Sequence, residues 1–204
     1  MKFPCVVIHR SQDTEREPLI ADLETALGTK LSRYEAIDGN TLYSLPRRHP
    51  HETVPTTLGN LGCVASHVDL LRSAFLAGES HILIFEDDAC MEPGADVVGF
   101  IRGVTQPYDL LFLGVNQVVD GVKEGDLWKI RRFWGTHAVL CTQKAMRAIM
   151  DEYEETVRLG YAYPSDWLYA RAIQTAGLIA LTPVKNLCSQ KKGLVSVITG
   201  KVRR

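Results

Sequence analysis

Several features that are typical of specialised proteins are missing from this sequence, and each absence argues against one class of protein. No apolar run is long enough to span a bilayer, and the N-terminus reaches His9 and Arg10 before a signal-peptide apolar region can form. The net charge is −1, which gives no electrostatic case for a nucleic-acid partner. The five cysteines are scattered and form no CxxC pair, so we expect reduced thiols in a cytoplasmic protein.

What is present is the composition of an ordinary globular protein. The chain has 204 residues, of which 46% are hydrophobic and 23% charged, so we expect a single domain over residues 1–204. The charge is uneven, because six basic residues and no acidic residue occur from Lys185 onward. This basic C-terminal stretch has three interpretations: a solvated tail, a clamp for an anion, or a peripheral contact with the anionic inner surface of a membrane.

Apolar strands alternate with amphipathic helices along the chain. Strands are predicted at residues 3–8, 31–37, 81–85, 109–115, 127–132, 136–142 and 178–182. Helices are predicted at residues 13–27, 64–75, 93–104 and 144–159, and after Pro164. A surface loop is expected over 45–57 and a turn over 121–125. This order predicts an α/β fold with a mixed, mostly parallel sheet flanked by helices, whose ligands bind beyond the carboxyl ends of the strands.

The most informative segment is FEDDA, at residues 85–89. It ends an apolar run, and its three acids, Glu86, Asp87 and Asp88, cannot continue into a core without partners. Carboxylates at the end of a strand suit a hard cation such as Mn²⁺ or Mg²⁺, which binds oxygen ligands and substrate phosphates. A solvated acidic turn explains the same residues, so the segment alone leaves both interpretations open.

Further motifs occur in a fixed order around this segment. They are Val7-Ile8 with Arg10, Asp13 and Arg16; Ala36-Ile37-Asp38-Gly39; Gly62-Cys63-Val64-Ala65-Ser66-His67; Ile84-Phe85-Glu86-Asp87-Asp88-Ala89; Asp109-Leu110-Leu111-Phe112-Leu113-Gly114; Gly135-Thr136 with Ala138; Pro164 with Asp166; and Gln190 with Ser196. Together they resemble glycosyltransferase family 25, which includes the lipooligosaccharide-type and collagen galactosyltransferases. The ordered pair of G-C-x-x-S-H and E-D-D is the most specific part. His9, Asn60 and Val139 depart from the family, which usually has Asn, Glu and Tyr there.

The resemblance implies a GT-A (Rossmann-like) fold, a UDP-sugar donor and a divalent cation, Mn²⁺ or Mg²⁺. By analogy with the D-x-D motif of GT-A enzymes, Asp88 is the first candidate metal ligand and Glu86 the second. Gln190, with Lys191 and Lys192, would close over the metal and the diphosphate as a lid. Asp87 would point the other way along the extended backbone, toward the sugar or toward a group behind the metal ligands, or it would only stabilise the turn.

Donor contacts are expected from the motifs that precede the acids, and each has a structural alternative. Ile8, Arg10 and Arg16 would contact the base or the diphosphate, although the favoured interpretation of Arg16 is a solvated helix charge. Asp38 and Gly39 would bind the ribose or the uracil, or would simply form an Asp-Gly turn. Ser66 would contact the donor or would only form a hydrogen bond near the start of a helix. His67 would contact the donor or would hold residues 86–88, the acidic loop, in place. A zinc site made of Cys63, His67, His49 and His51 fits no strong spacing pattern.

The expected catalytic base is Asp166, because inverting transfer needs a carboxylate to take the acceptor's proton. Its position at the start of a late helix matches where GT-A enzymes place this acid, although a helix-capping role is the alternative. Tyr163 and Trp167 would stack on a sugar ring or pack in the core. The favoured hypothesis is transfer of a galactose or glucose from a UDP-sugar to a hydroxyl of a glycan. The rivals are a non-catalytic sugar-nucleotide-binding domain and a metal-dependent phosphohydrolase.

Overall fold

The computed structural model describes residues 3–51 and 55–191, which form ten strands and five α-helices. The strands are β1 Cys5–His9, β2 Ser32–Glu35, β3 His81–Glu86, β4 Ala89–Met91, β5 Leu110–Phe112, β6 Gln117–Glu124, β7 Leu127–Trp134, β8 Ala138–Thr142, β9 Ala180–Pro183 and β10 Cys188–Gln190. The helices are α1 Glu17–Leu27, α2 Leu58–Leu76, α3 Val97–Gly103, α4 Gln143–Arg158 and α5 Ser165–Thr175. Short 3₁₀ turns at Thr14–Arg16 and Gly39–Leu42 precede α1 and follow β2.

Eight strands form one sheet in the order β2-β1-β3-β8-β5-β9-β7-β6. Six of these strands run in the same direction, and β7 and β8 run in the opposite direction. The pairs β1–β2, β1–β3 and β5–β9 are parallel. The pairs that β8 forms with β3 and β5, and that β7 forms with β6 and β9, are antiparallel. The predicted mixed, mostly parallel sheet flanked by helices is therefore confirmed. β4 and β10 form a separate two-stranded antiparallel sheet.

The sheet is covered on both faces because successive side chains of a strand point to opposite sides. Ile82 and Ile84 of β3 pack with residues of α2, α4 and α5 on one face. Leu83 and Phe85 of the same strand pack with residues of α1 and α3 on the other face. All four side chains are at most 1% exposed, which explains why β3 is an uninterrupted apolar run.

This topology gathers polar residues at one edge of the sheet. The parallel strands β2, β1 and β3 all end there, so Glu35, His9 and Glu86 follow one another along the edge. β8 runs antiparallel to β3, which brings the start of β8 to the same edge: Phe85 pairs with Ala138, and the Glu86 N–H donates to the His137 carbonyl at 2.9 Å. The segment before β8 therefore contacts the acidic loop, and its Thr136 hydroxyl donates a hydrogen bond to Glu86, which lies 50 residues earlier in the chain.

Most predicted elements are confirmed in type, and three details were wrong. α2 begins at Leu58, not at Val64, so Ser66 and His67 lie well inside the helix instead of near its start. Residues 121–124 belong to strand β6, and the reversal follows at Gly125 in the left-handed conformation (φ 63°). Residues 45–51 and 55–57 are irregular, but they are not all at the surface, because His49 and Thr56 are buried.

A last strand, β10, was absent from the sequence-based prediction. Its Gln190 pairs with Ala89 of β4, and the Lys191 N–H donates to the Asp88 carbonyl at 2.8 Å. Lys192 and Ser196 lie outside the described residues, as does most of the basic C-terminal stretch, so its role stays a prediction, as does the single-domain organisation. Among the described residues, no helix is long and apolar enough to span a bilayer.

Two glycines allow α2 to pack tightly against the segment after β2. A Cβ on Gly62 would lie 2.6 Å from the Ile37 carbonyl oxygen and 2.8 Å from the Gly39 nitrogen. A Cβ on Gly39 would lie 1.7 Å from the Leu58 carbonyl oxygen. These atoms are backbone and cannot swing away, so glycine is required on both sides of the contact. The glycines of the A-x-D-G and G-C-x-x-S-H motifs therefore hold α2 where its polar residues can reach the acids.

We expect Gly62→Ala to lower the free energy of unfolding by about 1–3 kcal/mol, because overpacking against fixed backbone forces the helix away. Gly103→Ala is the matched control, since a Cβ there meets nothing within 4 Å. Its stability should stay equal or rise by up to about 1 kcal/mol. Urea denaturation measures both variants, and equal stability for Gly62→Ala and the parent protein would contradict the close approach.

Candidate active site

A cavity of about 430 Å³ opens at the edge of the sheet where β1, β2 and β3 end. Its walls come from the segment after β1, the segment after β2, the first half of α2 and the acidic loop. The lining residues that matter below are Ile8, Arg10, Arg16, Asp38, Gly39, Arg47, Cys63, Ser66, His67, Glu86, Asp87 and Asp88. A cavity of this size and of mixed charge is typical of a small-molecule site.

Glu86 is held by groups from three other elements. Its Oε1 accepts a hydrogen bond from the Thr136 hydroxyl at 2.7 Å and lies 3.4 Å from His67 Nε2 of α2. Its Oε2 accepts from Gln190 Nε2 at 3.2 Å. Burial acts to raise the pKa of Glu86, but the His67 ring and the Thr136 hydroxyl outweigh it and leave the pKa below its usual range. Glu86 is therefore a carboxylate at neutral pH.

Asp87 and Asp88 point to different partners. Asp87 Oδ2 lies 3.0 Å from His9 Nδ1 of β1, and burial raises the pKa of Asp87 although the His9 ring opposes this. Asp88 is 6% exposed, and its Oδ2 lies 3.9 Å from the guanidinium of Arg16. Arg16 is itself 3% exposed, so the prediction that it is a solvated helix charge was wrong. The nearby Asp88 carboxylate stabilises the positive charge of the buried Arg16 guanidinium in the cavity wall.

The oxygens of Glu86 and Asp88 converge on one point. Gln190 Nε2 lies 3.2 Å from Glu86 Oε2 and 3.4 Å from Asp88 Oδ1, while Gln190 Oε1 accepts from Asn116 at 2.7 Å. A single amide nitrogen thus stands between two carboxylates. Two carboxylate oxygens around one position fit a hard divalent cation, and the Gln190 amide would add its oxygen as a third ligand after turning over. Asp87, which turns to His9, does not share the point.

The remaining predicted donor residues surround the other wall of the cavity. Arg10 forms two 2.7 Å hydrogen bonds with Asp13, and Ile8 lies at the end of β1 behind it. Asp38 is exposed, and its Oδ1 accepts from the Asn40 N–H at 2.9 Å, so it forms the Asp-Gly turn and also lines the cavity. Arg47, which the sequence analysis did not single out, adds a third guanidinium to the lining.

Ser66 and His67 are buried in α2 and connect it to its neighbours. The Ser66 hydroxyl accepts from the Ile37 N–H at 2.8 Å and donates to the Gly62 carbonyl at 2.6 Å. His67 Nδ1 lies 3.1 Å from the Tyr169 hydroxyl, opposite the nitrogen that faces Glu86. Both residues line the cavity, but their described partners are protein groups that fix the loops.

Asp166 lies next to the acidic loop without lining the cavity itself. Its neighbour Ser165 contacts the Thr136 hydroxyl at 2.9 Å, and Thr136 in turn contacts Glu86. Asp166 Oδ2 accepts from the Gly135 N–H at 3.3 Å, and Oδ1 accepts from the Trp167 N–H in the first turn of α5. Burial raises the pKa of Asp166 to about 6, and the Glu86 carboxylate adds to the rise. A purely helix-capping acid would have its pKa lowered instead.

An aromatic cluster lies beside Asp166. The Trp167 ring is stacked on Tyr163, with centroids 6.2 Å apart, and the Trp134 centroid lies 5.9 Å from that of Trp167. His49 and His51 also pack against Trp167, at 5.0 and 5.8 Å. Trp134 is 37% exposed, whereas Tyr163 is 5% exposed and belongs to the core. The histidines of the hypothetical zinc set therefore pack on Trp167 and do not join Cys63 and His67.

The structure thus brings Glu86, Asp88 and Gln190 together and sets Asp166 beside them. Lys191 contributes a backbone contact to Asp88, with an exposed side chain. Sequence reasoning missed Arg47 and Thr136 and misjudged Arg16. A signal for Arg16 was present, because Asp13 and Arg16 are three residues apart in a turn directly after β1, where ligands bind.

Comparison with known protein families gives a match for this chain. A family model described as glycosyltransferase family 25 (LPS biosynthesis protein) matches residues 4–119, which is more than half of the chain. The match contains the segments that carry Arg10, Asp38, Ser66 and the acidic triplet. A search of curated proteins gives no match.

Solved structures are similar in fold at low identity. A glycosyltransferase involved in the glycosylation of the major capsid of PBCV-1 is 11% identical, with 90% of this chain and 80% of that chain covered and a TM-score of 0.49. A197 from STIV is 11% identical, with 91% and 83% covered and a TM-score of 0.50. The galactosyltransferase LgtC, in complex with donor and acceptor sugar analogs, is 10% identical, with 83% and 70% covered and a TM-score of 0.44. The family match and the sheet described above identify a GT-A fold.

The raised pKa of Asp166 predicts an unusual stability profile for Asp166→Asn. A buried acid with a pKa of about 6 binds its proton more tightly in the folded state than in the unfolded state. The parent protein should therefore lose stability as the pH rises from about 4 to about 6, whereas the neutral amide avoids this loss. At neutral pH we expect Asp166→Asn to be more stable by up to about 3 kcal/mol, since one pKa unit corresponds to about 1.4 kcal/mol.

Urea denaturation across this pH range measures the effect, with the exposed Asp22→Asn as the control. If the free energy of unfolding of Asp166→Asn is instead lower than that of the parent protein by the same amount at every pH, the carboxylate stabilises the start of the helix.

Proposed function

The chain belongs to glycosyltransferase family 25 and is a glycosyltransferase, and we propose that it moves a galactose or glucose from a UDP-sugar to a hydroxyl of a glycan. The observation that carries this proposal is the pairing of opposite charges in one cavity. Glu86 and Asp88 converge on a point suited to a hard cation, and Arg16 lies beside them. A metal-bound diphosphate needs both kinds of group, carboxylates for the cation and guanidiniums for the phosphate oxygens.

The donor would lie along the cavity with its diphosphate at the acidic loop. Glu86, Asp88 and Gln190 would hold Mn²⁺ or Mg²⁺, which would offset the negative charge that develops on the leaving diphosphate. Arg10, Arg16 and Arg47 line the same cavity and would bind the phosphates as bidentate donors. Asp38, exposed on the far wall, would accept hydrogen bonds from the ribose hydroxyls or the uracil.

Asp166 is the residue that we propose to take the acceptor's proton. A base works best when its pKa lies near the operating pH, and burial raises the pKa of Asp166 to about 6. The helix start also places the carboxylate beside Glu86 but outside the donor cavity. An inverting displacement would require the acceptor hydroxyl to reach Asp166 from the side of the sugar that lies opposite the diphosphate.

The acceptor proposed here is a glycan, because aromatic rings flank Asp166. Trp134 is partly exposed and Trp167 is half-buried beside it. Indole rings offer an apolar face for a sugar ring together with an N–H donor for its hydroxyls. This arrangement favours a sugar acceptor and supports transfer over hydrolysis, in which water alone would need to reach Asp166.

If Asp88 binds the cation, the Asp88→Asn variant should lose transfer activity and metal-dependent affinity for UDP. The amide keeps the shape of the side chain and can still accept from Gln190, but it lacks the charge that holds a cation. We expect transfer to fall at least about 100-fold, since even residues that only orient a metal ligand cost about 10- to 100-fold. The affinity for UDP in Mn²⁺ should fall to the value that the parent protein shows in chelator.

Transfer assays and calorimetry with UDP measure these effects, and Asp22→Asn, an exposed acid on α1, is the control. Circular dichroism must show that the Asp88→Asn protein is folded. Parent-like activity of this folded variant, or full activity of the parent protein in excess chelator, would refute the metal claim.

The base assignment predicts a different pattern in Asp166→Asn. Loss of a general base should lower kcat by about 10²- to 10⁴-fold while the affinity for the UDP-sugar stays nearly the same. In the parent protein, kcat should rise with pH and reach half its maximum near pH 6, because the deprotonated carboxylate is the active form. The variant should lack this rise.

Steady-state kinetics across the pH range tests both parts. A near-normal kcat in Asp166→Asn would assign the proton transfer to another group, with Asp87 as the next candidate.

A further inference from the structure

Glu86 has two faces, and the proposed cation would use only one of them. Its Oε2 faces Gln190 and Asp88, where oxygen ligands converge. Its Oε1 accepts from Thr136 and lies 3.4 Å from His67 Nε2 of α2, and Cys63 Sγ lies within 4.8 Å of the ligand atoms of both His67 and Glu86. This second face has a different chemistry, because sulfur and nitrogen are ligands that soft or borderline metals prefer.

Three different ligand types meet on that side. Cys63 and His67 are four residues apart on α2, so their side chains share one face of the helix. One ligand atom from each of Cys63, His67 and Glu86 lies within 4.8 Å of the other two. All three residues line the 430 Å³ cavity, which gives a metal ion a path from solvent.

His67 is arranged as metal-binding histidines are. The residue is 0% exposed, and its Nε2 has no hydrogen-bond partner among the described residues, with Glu86 Oε1 at 3.4 Å. The other ring nitrogen, Nδ1, lies 3.1 Å from the Tyr169 hydroxyl, which fixes the ring orientation. A hydrogen bond on the distal nitrogen is the usual support of a histidine ligand.

We propose that Cys63, His67 and Glu86 form a zinc site at the inner wall of the cavity, with a fourth coordination position open to the cavity. Cysteine, histidine and glutamate are all common zinc ligands, and three protein ligands with an open position are typical of non-structural zinc sites. The Cys63 thiol gives up its proton to solvent when Sγ binds the metal. This site shares Glu86 with the proposed donor cation but uses the other carboxylate oxygen, and it does not depend on the proposed transfer reaction.

The shared carboxylate gives the site a consequence. Zinc on Oε1 and the donor cation on Oε2 would share the single negative charge of Glu86 and would repel each other, so each metal would weaken the binding of the other. The four-residue set considered from the sequence, with His49 and His51, is replaced here by one that contains a carboxylate from β3.

Metal titration of the protein without any nucleotide tests the site. We expect the parent protein to bind one Zn²⁺ in competition with a colorimetric chelator. With Co²⁺ in place of zinc, we expect the near-ultraviolet charge-transfer band of a cobalt–thiolate bond. Cys63→Ser and Cys63→Ala should bind Zn²⁺ at least about tenfold more weakly and lose the band.

Cys5→Ser is the matched control, because Cys5 lies at the start of β1, at the opposite end from His9, and should keep both the affinity and the band. A parent protein without the cobalt–thiolate band would overturn the proposal, and this result needs no variant. Parent-like Zn²⁺ affinity in a folded Cys63→Ser or Cys63→Ala protein would overturn it equally. Because no sugar transfer is measured, failure of the transferase proposal leaves this test unaffected.

Discussion

Three adjacent carboxylates at the end of a buried strand require partners, and the architecture around them follows from that requirement. An uncompensated charge in a protein interior costs several kcal/mol, so an acid that stays ionised there must be hydrogen-bonded or paired. Glu86, Asp87 and Asp88 leave β3 toward different partners: Glu86 meets His67 and Thr136, Asp87 meets His9, and Asp88 meets Arg16.

The strand order brings these partners close to the three acids. β1 lies parallel to β3 and ends beside it, which supplies His9 and, one turn later, Arg16. β8 is inserted antiparallel between β3 and β5, so Thr136, two residues before the strand begins, reaches Glu86 from the opposite chain direction. The small β4–β10 sheet folds the chain back after the acids and presents Gln190 to two of them. A mixed sheet is thus needed to surround the acidic loop, because purely parallel strands would supply only one side.

The sequence predicts the parts of this arrangement that depend on local pattern. The apolar run that ends in FEDDA identifies β3 and its acids, and helix-capping residues and apolar spacing identify α1, α4 and α5. α2 was placed too late in the chain, because Gly59, Asn60 and Gly62 are poor helix formers. Gly62 is retained there for its close approach to Gly39, which is a tertiary constraint that no local pattern contains.

Long-range contacts account for the other misses. β10 has only three residues and forms by pairing with a strand about 100 positions earlier, so no periodicity could reveal it. Arg16 is a polar residue in a short helical turn and looks solvated until Asp88 is placed beside it. The raised pKa of Asp166 likewise depends on burial and on Glu86, neither of which is encoded near residue 166.

The central claim is that this cavity binds a uridine diphosphate sugar through a cation held at the acidic loop. Calorimetric titration of the parent protein with UDP, in Mn²⁺ and again in excess chelator, tests it most directly. The account predicts one UDP per chain, with an affinity at least about tenfold higher in Mn²⁺, since every tenfold change corresponds to about 1.4 kcal/mol. Equal affinity under the two conditions, or no binding of UDP in either, would contradict it.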